Sequence, residues 1–141
     1  MQDDRVRSSL GYALVRAFRS VNRATSRALL PFELSSEQAH ILLILWIEGP
    51  MKIGELQRVL SLSSGTLTGA IDRMDKAGLV RRVPDPIDGR AFRVEELAFD
   101  AKRRRAIEST LEGAETAAFA PLTPRERQEL FRLLSKIGGH E

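Results

Sequence analysis

Apolar residues over the first thirty positions recur at alternating steps of three and four: Val6, Leu10, Ala13, Leu14, Ala17, Phe18, Val21, Ala24 and Ala28. This stripe has a period near 3.6 and predicts one long amphipathic helix over about residues 4–30. Pro31 closes it, because a proline disfavours the helical region for the residue before it. Ser35 then stands three residues ahead of Gln38, the spacing of a capping box, and an apolar run at 41–47 follows, with Gly49 and Pro50 as the stop. A helix that is apolar almost all round belongs at the centre of a core. Ile53, Leu56, Val59 and Leu60 predict a short third helix. Ser61, Ser63 and Ser64 supply hydroxyls suited to a turn and an N-cap. The fourth helix turns Leu67, Ala70, Ile71 and Met74 inward and Gly65, Thr66, Gly69 and Arg73 outward, with Gly78 at the expected C-terminal cap.

Beyond Gly78 the period drops toward two. Residues 79–83 and 91–97 read as short strands flanking Pro84-Asp85-Pro86-Ile87-Asp88-Gly89-Arg90, and the Asp-Gly pair between them predicts a hairpin. Asp100 caps a fifth helix that starts with the basic run 102–105 and continues through Ile107, Leu111, Ala114 and Ala118. Thr123, Pro124 and Glu126 open a sixth, carrying Leu130, Phe131, Leu134 and Ile137. The pattern therefore predicts a mostly α chain with a small β-hairpin wing, an α+β winged helix-turn-helix of six helices in a single domain over 1–141. Residues 31–99 form its winged region, and 1–30 with 100–141 form a helical region. So short a middle section cannot cover the stripes of the end helices, so Leu10, Leu14, Leu111, Phe119, Leu130, Phe131 and Leu134 are expected to bind a second copy.

Composition narrows the chemistry. With 43% apolar residues among 141, the chain can build a core. The absence of cysteine excludes disulfide frameworks, iron–sulfur clusters and thiol sensing. Only His40 and His140 are present, far apart in sequence, so no metal or other cofactor is expected. The longest apolar run is far below the roughly 20 residues of a membrane helix, and charges crowd the first twenty positions, so the expectation is a cytoplasmic protein without a membrane segment. Net charge is +3. Residues 58–93 hold seven basic and four acidic side chains, but residues 49–99 hold eight and seven, so charge permits a nucleic-acid partner without identifying one. The arginines of the first helix read as a solvated face.

Two short helices joined by a tight turn, the second presenting Ser63, Ser64, Gly65, Thr66, Thr68 and Arg73, offer what the major groove of duplex DNA requires. Hydroxyls and guanidinium donate to phosphate oxygens and base edges, and the glycines allow close approach. Helix, turn and helix at this spacing occur in many folds; the hairpin that follows, a wing able to reach the flanking minor groove, favours DNA. Enzymatic readings fare worse. Ser64-Gly65-Thr66 with Gly69 lacks the lysine and the preceding strand of a phosphate loop. Glu37 lies one turn before His40, a conceivable acid/base pair that nothing else completes. His40 and Trp46 share the buried helix and suit either the core or a small aromatic or apolar effector.

The stretch Leu62-Ser63-Ser64-Gly65-Thr66-Leu67-Thr68, then Ile71-Asp72-Arg73-Met74, Lys76-Ala77-Gly78-Leu79-Val80-Arg81-Arg82 and the segment Pro84 through Arg90, resembles the MarR family of bacterial transcriptional regulators. The order of elements agrees over nearly the whole chain. The resemblance implies a homodimeric winged helix-turn-helix whose end helices intertwine, which binds a pseudo-palindromic operator and often answers a small aromatic ligand. Its most specific part is the wing, where Asp88 would hold the loop and Arg90 would enter the minor groove. Two departures reduce the charge available: Gly89 stands where the family often has a second basic residue, and Gly69 where the recognition helix often has an arginine. Residues 95–101 hold one extra residue at the strand-to-helix junction, consistent with a bulge, with Asp100 in place of the usual threonine cap. The expectation is a ligand-responsive repressor rather than an enzyme; a winged-helix module that binds another protein is the alternative.

Overall fold

Seven α-helices and three short strands are formed in the computed structural model of the chain, which describes residues 2–97 and 100–139. In order they are α1 (Gln2–Arg7), α2 (Leu10–Leu29), a 3₁₀ turn (Leu30–Phe32), α3 (Ser36–Glu48), β1 (Met51–Lys52), α4 (Ile53–Leu60), α5 (Ser64–Lys76), β2 (Val80–Pro84), β3 (Phe92–Glu96), α6 (Ala101–Ala118) and α7 (Pro124–Gly138). The seventh helix arises because the expected first helix is broken at Ser8 and Ser9. Ser8 Oγ donates to the Asp4 carbonyl at 2.8 Å, and Ser9 Oγ donates to the Val6 carbonyl at 2.9 Å while accepting from the Tyr12 amide at 3.1 Å. Serine hydroxyls thus end one helix and cap the next, a competition that apolar periodicity does not register. Three further junctions use the predicted local chemistry. Ser35 and Gln38 close a reciprocal capping box with both bonds at 3.1 Å, and Thr123 and Glu126 do the same at α7. Gly78 takes φ 74°, and the Leu79 amide returns to the Met74 carbonyl at 2.9 Å, the left-handed helix stop that glycine adopts without penalty.

The chain divides into two compact units, Met1–Ala28 with Thr110–Glu141, and Leu29–Ser109. Every apolar side chain buried among the described residues lies in the second of these. Its centre is α3, through Ile41, Leu42, Leu45 and Trp46, joined by Leu56 of α4, Leu67, Ile71 and Met74 of α5, and Val80 and Val94 of the sheet. Ile107 is also fully buried there, so the first half of α6 belongs with this unit. The sheet is antiparallel in the order β1-β3-β2, with Met51 opposite Val94 and Val80 opposite Glu96. A two-residue strand such as β1 leaves no readable alternation, yet it makes β3 the central strand.

The first unit has no buried side chain among its described residues. Leu10 is 90% exposed and Phe131 74%, Leu14 and Leu134 stand open, and Leu111, Phe119 and Leu130 are half-buried. A groove of about 570 Å³ between α6 and α7 is lined by Phe119, Leu130, Phe131 and Leu134, with Glu112 and Arg127 among the polar residues around it. Among the described residues no helix is long and apolar enough to cross a membrane. Ala98 and Phe99, where the extra junction residue was expected, and His140 lie outside the described residues.

Candidate nucleic-acid interface

Helix α5 buries Leu67, Ala70, Ile71 and Met74 and leaves Ser63, Ser64, Gly65, Thr66, Thr68 and Arg73 exposed, so one continuous face holds all six candidates. Ser63 is the N-cap: its Oγ accepts from the Thr66 amide at 3.2 Å and donates to Thr66 Oγ1 at 2.8 Å. This pins the start of the helix, where free amides and the positive end of the helix dipole suit a phosphate. A Cβ built on Gly69 would stand 3.3 Å from Arg73 Nη1. The guanidinium of Arg73 therefore lies back along α5, one turn toward its N-terminus, as long helical side chains do, and Gly69 leaves room for it. The glycine that removes one charge from this face thus lets the neighbouring charge occupy its place.

The wing is built around a residue that motif spacing had not singled out. Asp85 has no exposed side-chain surface; its Oδ1 accepts from the Ile87 and Asp88 amides at 2.8 and 2.9 Å, and its Oδ2 accepts from Arg93 Nε at 2.8 Å. Lys52 Nζ, from β1, adds a cation at 3.9 Å. The backbone bond from the Asp88 amide, the Arg93 guanidinium and the bond from the Ile87 amide together hold the carboxyl far below the usual carboxylate range. Asp88 has a smaller part, accepting from the Arg90 amide at 3.1 Å as an Asx turn, while the Ala91 amide reaches the Asp88 carbonyl at 3.0 Å. The hairpin loop runs over residues 85–91, one residue on from the expected 84–90, and Gly89 of the Asp-Gly pair does not take positive φ. The carboxylate of Asp85 organises the turn that an Asp-Gly type I′ geometry would otherwise have supplied.

Charge on this unit is unevenly committed. Arg81 pairs across the sheet with Glu95 at 2.5 Å, and Arg82 reaches Asp72 at 2.5 Å and Asp75 at 3.5 Å, so β2 is tied to its neighbour and to α5. Arg73 and Arg90, by contrast, form no ion pair among the described residues, and both are exposed.

Trp46 and His40 are not brought together. Six positions on a helix place their side chains about 120° apart, and Trp46 is 8% exposed while His40 faces outward. The indole Nε1 donates to Glu96, and Arg104 lies over its ring at 5.1 Å. Burial raises the Glu96 carboxyl above its ordinary value, with Arg104 acting in the opposite direction. Because the folded value is the higher one, the contribution of Glu96 to stability is fullest below the ordinary range and declines as pH rises through the raised value. Emission from Trp46, the single tryptophan, is expected to change on acidification at a pH above the roughly 4.3 of a free glutamate, and Glu96→Gln should remove that step. A titration with its midpoint at or below the free value would contradict this environment.

A capped, exposed helix after a tight turn, followed by a braced hairpin with an exposed, unpaired arginine near the end of its loop, defines a winged helix-turn-helix DNA-binding protein. The MarR family profile matches residues 34–92. The HTH-type transcriptional regulator MgrA of Staphylococcus aureus is 29% identical over 135 residues, covering 94% of this chain and 89% of MgrA. YcgE, an HTH-type regulator of Bacillus subtilis, is 30% identical over 139 residues, covering 92% and 87%. A mutant MarR from E. coli, crystallised with operator DNA, superposes with a TM-score of 0.78 at 25% identity over 91% of this chain and 92% of that one. The chain belongs to the MarR family: it is a DNA-binding transcriptional regulator, and the relatives it matches are regulators rather than enzymes. Of the two readings left open by the sequence, membership favours DNA binding.

Proposed function

We propose that the chain acts as a homodimer that represses transcription by seating α5 in successive major grooves of a pseudo-palindromic operator, with Arg90 in the flanking minor groove. The observation that carries this reading is the pairing of two uncommitted guanidiniums, Arg73 folded along the exposed face of α5 and Arg90 at the end of a loop braced by Asp85. Dimerisation is supported by the open apolar side chains of the first unit. The expected input is a small apolar or aromatic effector that lowers DNA affinity, and quenching of Trp46 reports whether it reaches the second unit.

The test begins with selection of bound duplexes from a random pool. On the selected site, Arg90→Ala should weaken binding by roughly 1–3 kcal/mol, lower the salt slope by about one per half-site and blunt preference for A·T pairs in the flanks. Arg73→Ala should weaken the core half-site and leave the flanks unchanged. Unchanged affinity and unchanged flank preference in Arg90→Ala would make the wing a structural hairpin only.

A further inference from the structure

Helix α2 carries a second cationic surface that the winged unit does not use. Its twenty residues include Arg16, Arg19, Arg23 and Arg27 and no aspartate or glutamate. At about 100° per residue, Tyr12 and these four arginines fall on one side of the helix, and Leu10, Leu14, Ala17, Val21 and Ala28 fall on the other. The four arginines are exposed, and Arg16 stacks over the Tyr12 ring at 5.9 Å. Arg16, Arg19 and Arg23 line a cleft of about 560 Å³ together with Ser20 and Asn22. Several cations on other elements are paired: Arg104 with Glu108 at 3.1 Å, Arg132 with Glu129 at 2.6 Å and Arg82 with Asp72 at 2.5 Å. None of the four α2 arginines pairs with a carboxylate among the described residues.

We propose that this face of α2 binds the phosphate backbone of duplex DNA without sequence preference, as a surface separate from α5 and the wing. Arginine, serine, asparagine and tyrosine are the side chains that donate to phosphate oxygens. The row from Arg16 to Arg27 extends about 16 Å, and a duplex presents one charge per roughly 1.7 Å of its axis, so several phosphates face the row at once. The face has no apolar centre of the kind that anchors a protein partner. The DNA can be the flank of a bound operator or a second duplex, since the phosphate chemistry is the same.

The experiment uses the full chain with all four residues changed, Arg16→Gln, Arg19→Gln, Arg23→Gln and Arg27→Gln, its fold and assembly checked by circular dichroism and light scattering. Binding to a long random-sequence duplex is followed by fluorescence anisotropy across a salt series. The variant is expected to lower the salt slope by about 3–4, at roughly 0.9 per phosphate, and to select the same sequence from a random pool as the parent chain. If the loss appears only on long duplexes, the source is the operator flank; if the parent chain captures a second short duplex on an immobilised one and the variant does not, it is a second segment. An unchanged slope overturns the proposal, as does tighter binding of the parent chain to polyglutamate or to anionic phosphatidylglycerol vesicles than to duplex. Arg73→Ala combined with Arg90→Ala abolishes sequence selection if α5 and the wing read the operator, so failure of that reading is seen separately from failure at α2.

Discussion

A chain ended at Pro121 is expected to lose its stable fold, its assembly and its tight DNA binding together. The truncation removes α7 and with it Leu130, Phe131 and Leu134, and it leaves the half-buried Phe119 and Leu111 facing water. In the proposed dimer each of these side chains stabilises by roughly 1.5–3 kcal/mol. Three of them approach the whole stability of a small domain, about 5–15 kcal/mol. The winged unit has its own core, so the truncated chain should keep helical signal but melt early and without a sharp transition. A gentler variant separates the causes. Phe131→Asp, at a position 74% exposed in the single chain, should keep the winged unit folded on its own core yet dissociate the dimer in light scattering and weaken operator binding by more than a hundredfold, since each half-site then binds alone. Retained dimers of Phe131→Asp with full affinity would place the assembly surface elsewhere.

The second large effect is expected at Asp85. Asp85→Ala deprives the Ile87 and Asp88 amides of their acceptor and Arg93 of its partner in one change, so the loop at 85–91 loses the contacts that fix it. Arg90 is then no longer presented in one place, and DNA affinity should fall at least as far as in Arg90→Ala, together with thermal stability. Asp85→Asn keeps one acceptor for the amides and loses the ion pair with Arg93, so it should be milder. The pH dependence has a definite sign. The folded carboxyl lies below the unfolded one, so its stabilisation is complete above about pH 4 and is lost as pH falls from there toward the depressed folded value. The stability gap between the parent chain and Asp85→Asn should therefore be flat from neutrality to about pH 5 and close under stronger acid. A gap that closes near neutral pH would show that another group is titrating.

What the sequence made legible was chemistry that closes within one turn or one stripe. Ser35 with Gln38, Thr123 with Glu126, Gly78 as a helix stop and the inward row of α5 each depend on residues three or four apart. The exposed face of α5 followed from that row. What escaped was chemistry joining distant segments. Asp85 draws on Lys52 of β1 and Arg93 of β3, and Trp46 finds Glu96 and Arg104. The proline on either side of Asp85 was the one local sign that the loop there is fixed. The break in the first helix was missed for the opposite reason: Ser8 and Ser9 act within a turn, but hydroxyl competition leaves the apolar stripe intact.

The bond from the Asp85 amide to the Ala91 carbonyl, at 2.9 Å, closes the wing loop just beyond the last paired residues, Pro84 and Phe92. The segment outside that bond is five residues long, and the amides of Ile87 and Asp88 tie it to the buried carboxylate of Asp85. Side chains at 86, 87, 89 and 90 can therefore be exchanged or recharged, with the amides of Ile87 and Asp88 kept in place, while the sheet register and the helices stay as they are. In the proposed complex, flank preference would then vary independently of half-site recognition on α5, and a lineage of such regulators would diverge in its operators through these few codons before its recognition helices differ at all.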